Sequence, residues 1–79
     1  MKIYFVLETI PKYHDNIAIG TYSSLEKAQN AVLEDVAGAY TPEEMKQFDF
    51  YNEGRCYDTP ETEFLEACTY IIFESELDA

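Results

Sequence analysis

Residues 2–9 read Lys2-Ile3-Tyr4-Phe5-Val6-Leu7-Glu8-Thr9, a run dense in β-branched and aromatic side chains. Such a run predicts a strand. Successive side chains of a strand point to opposite sides, so Ile3, Phe5 and Leu7 share one face and Tyr4 and Val6 the other. Both faces are apolar, and both need cover. The apolar stretch Ile3 to Leu7 is interrupted by Glu8 and is too short for a signal-peptide core or a membrane span. A cytoplasmic location is therefore the expectation, in the host cytoplasm if the chain is phage-encoded.

The neighbouring segments extend this pattern. The polar stretch 11–16, with Pro11, His14 and Asp15, predicts a hairpin loop. Residues 17–22 follow as a second strand, in which Gly20 weakens the pattern or allows a bulge. Ser23-Ser24-Leu25-Glu26 fits a capping box, with Ser23 as the cap and Glu26 reaching back. Beyond it Leu25, Ala28, Val32 and Val36 recur at helical spacing, and Gly38 is placed to end the helix in the left-handed conformation.

Thr41-Pro42-Glu43-Glu44 is a second helix start, for a short helix to about Gln47 or a few residues beyond. Thr59-Pro60-Glu61 repeats that pattern and predicts a helical turn over 60–65, while 48–57 is ambiguous between strand and helix. Residues 67–74 predict a last strand, apolar on both faces. The expected fold is a single α+β domain over 1–79. It has a small antiparallel sheet of about three strands in order 2-1-3, one main helix on one face and short helices in the acidic segment. The face with Tyr4, Val6, Tyr70 and Ile72 is then expected to need cover, from the acidic segment or from a second subunit in a homodimer.

Charge sets the functional expectations. The 79 residues carry 16 acids against five bases, a net charge of −11, yet 47% are hydrophobic and 15% aromatic, which favours a folded chain over a disordered one. Residues 1–33 are neutral, with three acids and three bases, so the whole excess lies in 34–79 among aromatic side chains. Direct binding of nucleic acid or of an anionic membrane surface is disfavoured, because both rely on Lys and Arg.

No nucleophile elbow, phosphate-binding loop, dinucleotide fingerprint or HExxH pattern occurs, and the stretch from Asp49 has Tyr51 and Pro60 where a calcium loop needs oxygen ligands. Cys56 and Cys68 match no zinc or CxxC spacing and are expected as reduced thiols, and His14 as a solvated loop residue. No enzyme activity, cofactor or metal site is expected.

The acids are instead expected to form a docking surface for a basic, nucleic-acid-binding protein. Glu43, Glu44, Asp49, Glu53, Asp58, Glu61, Glu63 and Glu66 would stand in for phosphates, with Tyr51 and Tyr57 as anchors. The alternative is a homodimeric structural or interaction module, or an immunity-type nuclease inhibitor, whose acidity serves mainly solubility.

The opening Met1-Lys2-Ile3-Tyr4-Phe5-Val6, with Ile19-Gly20-Thr21-Tyr22-Ser23-Ser24-Leu25-Glu26-Lys27-Ala28, looks like one common among small phage and bacterial proteins. In size, acidity and lack of catalytic motifs the whole chain resembles phage-encoded anti-defence proteins of the anti-CRISPR and anti-restriction DNA-mimic type. That resemblance implies an inhibitor and assigns no residue a role.

Overall fold

The computed structural model describes residues 1–77. Asp78 and Ala79, the end of the expected domain, lie outside the described residues. The chain begins with strand β1, Lys2–Ile10, and turns through a 3-10 turn, Pro11–Tyr13, into β2, Asp15–Tyr22. Pro11 suits the start of that turn, where a missing N–H costs nothing. His14 closes it in the left-handed conformation (φ 56°), donating its N–H to Pro11 O at 3.2 Å. One extra residue of β2 lies between the pairs Val6–Gly20 and Leu7–Ala18, a bulge beside Gly20.

Helix α1, Leu25–Ala37, is capped by Ser24 and not by Ser23. The Ser24 Oγ accepts the Lys27 N–H at 3.1 Å, whereas the Ser23 hydroxyl takes the Lys27 ammonium. With Ser24 as cap the third helical position is Lys27, so the expected box with Glu26 does not form. Gly38 is right-handed (φ −69°), which corrects the left-handed ending. The helix tightens instead, with the Ala39 and Tyr40 N–H groups both donating to Val36 O, and this winds Tyr40 into the core.

Helix α2, Pro42–Met45, carries the capping box its sequence predicts. Thr41 Oγ1 accepts the Glu44 N–H at 3.2 Å, and Glu44 Oε1 accepts the Thr41 N–H at 2.9 Å.

The expectation of about three strands is corrected here. Among the described residues the sheet has five strands, all antiparallel, in order β2-β1-β5-β4-β3, where β3 is Phe50–Tyr51, β4 is Cys56–Thr59 and β5 is Cys68–Glu76. The two additional strands come from the ambiguous segment. Asn52, Glu53 and Gly54 all take positive φ (53°, 58° and 79°), folding 50–59 into a tight hairpin that adds to the edge of β5. The helical turn expected over 60–65 is also absent. Thr59 is buried in β4 opposite Cys68, so it is a sheet residue and not a cap. The turn that follows is held by Thr62, whose Oγ1 accepts the N–H groups of Phe64 and Leu65.

The core lies on one side of the sheet. Ala28, Val32 and Val36 of α1 pack on Val6, Tyr70 and Ile72. The face expected to need another cover is thus the one beneath α1. Aromatic groups of the acidic half widen this core, with Tyr40 edge-on to Phe48 (5.1 Å between centroids), and Phe50 and Tyr70 either side of Tyr57 (4.7 and 6.4 Å). The opposite sheet face carries Ile3, Phe5 and Leu7, together with Ile71 and Phe73 of β5.

Candidate functional site

The acids expected to dock a partner divide into engaged and free groups. Glu43 pairs with Lys46 at 2.9 Å, and Glu44 belongs to the α2 cap. Glu61 and Glu66 share Lys12 at 3.5 and 3.4 Å, and Tyr13 also donates to Glu66 at 3.1 Å. These contacts fasten the β1–β2 turn to the segment before β5. Asp58 accepts the Tyr51 hydroxyl at 2.9 Å, which together with burial pushes the Tyr51 ionisation up. Asp49, Glu53 and Glu63 are exposed, and none has a cation within ion-pair distance among the described residues.

Tyr57 is only 1% exposed, so no partner can reach its ring. It is a core residue whose inward alternation opposite Tyr70 follows from the β4 register.

The bases are held almost entirely within the protein. Lys2 and Arg55 lie 3.7 and 3.0 Å from Glu74, whose carboxyl is held below the usual range chiefly by the Arg55 hydrogen bond. Lys12 and Lys46 have the partners named above. Of the five, only Lys27 has no carboxylate within ion-pair distance among the described residues.

The structure also gathers residues that the sequence did not single out. A cleft of about 280 Å³ opens between the end of α1, β1 and the segment before β5. Its walls include Ile10, Ala39, Tyr40 and Leu65, with Phe64, 87% exposed, at its side. Glu8 from β1, Asp35 from α1 and Tyr70 from β5 meet in this cleft. The Tyr70 hydroxyl is 3.0 Å from Glu8 Oε2 and within hydrogen-bond reach of an Asp35 oxygen as well.

One phenolic hydrogen serves one acceptor at a time, so these two carboxylates hold acceptor capacity for a further donor. Burial, followed by the hydrogen bonds to Asp35 and Glu8, pushes Tyr70 far up, and burial likewise raises the Cys68 thiol. Both keep their protons at neutral pH, so the cleft offers acceptors for a cation and no activated nucleophile.

One sequence signal could have marked this site: Glu8 is the single acid in a strand otherwise apolar on both faces. Its meeting with Asp35 and Tyr70 is a tertiary fact. Cys56 and Cys68 are free thiols, and the β4–β5 register sends them to opposite sheet faces. Among the described residues no three His, Cys, Asp or Glu side chains are grouped to hold a metal ion, and no helix is long and apolar enough to cross a membrane. In comparisons with known proteins, no family model, no curated protein and no solved structure matches the chain.

Proposed function

We propose that the chain is a small acidic protein-binding inhibitor, of the phage or mobile-element anti-defence kind, that blocks a basic nucleic-acid-binding surface of its target. The observation that carries this reading is the one-sided use of charge. Four of the five bases are within ion-pair distance of acids, while Glu34 of α1, Asp49, Glu53 and Glu63 remain exposed without a cation among the described residues. An uncompensated negative field of this kind speeds association with a basic surface and selects against wrong partners.

The cleft supports the same reading. A lysine or arginine of the target would lay its aliphatic stem along Ile10, Ala39 and Leu65 and bring its cationic head to Glu8 and Asp35. The protein is a binder in this reading, not an enzyme, and it acts in the cytoplasm.

Affinity capture from the host with the wild-type chain tests the proposal. The expected catch is a basic nucleic-acid-binding protein that is released by rising salt and by added double-stranded DNA. The triple variant Glu34→Lys, Glu53→Lys, Glu63→Lys should fail to retain it. Those three residues take no part in a cap or ion pair, so their reversal tests the field and not the fold. Capture that survives the three reversals, or that is indifferent to salt, overturns the proposal.

A further inference from the structure

The sheet face turned away from α1 carries a ribbon of Ile3, Phe5, Leu7, Ile71 and Phe73. Phe5 and Phe73 stand opposite each other with ring centroids 6.3 Å apart, and Phe73 is 48% exposed. Helix α1 and the buried cluster lie on the other side, so this ribbon faces outward. An outward apolar ribbon on so small a chain marks an interaction surface.

The chemistry around the ribbon selects the occupant. Register places Thr9, Thr21, Thr69 and Ser75 on the same face, all neutral hydroxyl side chains. In a protein with 16 acids, the strand pairings bring only Asp58 to this side, at the β4 corner, where Tyr51 donates to it. A basic partner would find no ring of carboxylates here. A two-fold dimer brings each patch against its own copy, so it requires a patch whose centre carries no like charges. This face meets that condition.

We propose that this face docks a second copy of the chain, sheet against sheet, with both helices outward. The inference is independent of the inhibitor reading, which rests on the exposed acids and on the cleft at the end of α1.

The area is sufficient for a modest dimer. Strands of eight, nine, nine and four residues, at about 3.3 Å per residue and roughly 4.8 Å spacing, give a footprint of about 480 Å² per copy. The total of about 950 Å² lies in the range of weak, reversible interfaces, so the dimer should form only at high protein concentration. Two bodies of net charge −11 repel, and salt screens that repulsion. Self-association should therefore strengthen as salt rises, opposite in sign to capture of a basic protein.

Sedimentation of the purified chain over a range of concentrations, at low and high sodium chloride, tests the inference. The expected result is a monomer–dimer equilibrium shifted toward dimer by salt. Phe73→Asp should leave the chain monomeric under all conditions while its circular dichroism stays native. Thr21→Asp, an exposed rim change that touches no packed side chain of the core, should weaken association at least tenfold and serves if Phe73→Asp fails to fold. A wild-type chain monomeric at every concentration and salt overturns the inference, as does a dimer that persists in both variants.

Discussion

Tyr70 of β5 stands directly across the sheet from Glu8 of β1 and reaches its carboxylate at 3.0 Å, joining residues 62 positions apart. Asp35 approaches the same hydroxyl from α1, so its single hydrogen joins β5 to β1 or to the helix, one at a time. Hydrogen bonds to charged acceptors contribute roughly 1.5–3 kcal/mol each. Tyr70→Phe should accordingly lower stability by about 2 kcal/mol and the melting temperature by about 10 °C at neutral pH. A change within error of zero would show that the cluster does not hold the elements together.

The same residue predicts an alkaline limit. In the unfolded chain Tyr70 ionises near its ordinary value of 10.0, and in the folded protein it ionises higher, because burial and the two carboxylates disfavour the phenolate. Above pH 10 the unfolded state therefore holds fewer protons than the folded one, and stability falls as pH rises. Its contribution is complete below that pH. Denaturant titrations between neutral pH and pH 11 should show a steeper loss for wild type than for Tyr70→Phe. Parallel curves would remove Tyr70 as the source.

Tyr57 is predicted to behave in the opposite way from Tyr70. Its hydroxyl is buried and has no hydrogen-bond partner among the described residues, so its burial is not offset by a protein hydrogen bond. Tyr57→Phe keeps the ring among Phe48, Phe50 and Tyr70 and removes only the stranded oxygen. Stability should rise by about 1 kcal/mol or stay level. A fall of similar size in urea unfolding would mean that the hydroxyl has a partner in solution.

The cap of α1 separates two adjacent serines. Ser24→Ala should cost about 1 kcal/mol, because it frees the Lys27 N–H, whereas Ser23→Ala should change stability by only a few tenths. Equal effects of the two substitutions would reject the assignment of the cap.

Gly54 holds the β3–β4 hairpin against α1. Its φ of +79° favours glycine, and its carbonyl accepts from Gln29 Nε2 at 2.8 Å. A methyl group there would sit 2.5 Å from that same nitrogen. Gly54→Ala should destabilise by roughly 1–2 kcal/mol through strain and loss of the contact. Gln29→Ala should reproduce the part due to the hydrogen bond, and thermal melts of both variants give the comparison.

Local chemistry made some elements legible. The strand read over 2–9, the periodic stripe of α1 and the Thr41–Glu44 box are short-range patterns, and the structure contains all three. The hairpin over 50–59 was not legible. Its strands are two and four residues long, and Glu53 in a left-handed turn is contrary to its own preference. Thr59-Pro60-Glu61 reads locally as a helix start, yet burial of Thr59 in the sheet outweighs that preference.

What the sequence determined by itself was the placement of charge and the existence of a strand apolar on both faces. It did not determine which face receives the helix, because alternation of period two defines two faces without ranking them. Tertiary structure made that choice by seating Ala28, Val32 and Val36 on Val6, Tyr70 and Ile72, leaving Phe5 and Phe73 outward. The same packing brings Glu8, Asp35 and Tyr70 into one cleft. Such a meeting depends on strand pairing and helix docking across the whole chain, and no local pattern encodes it.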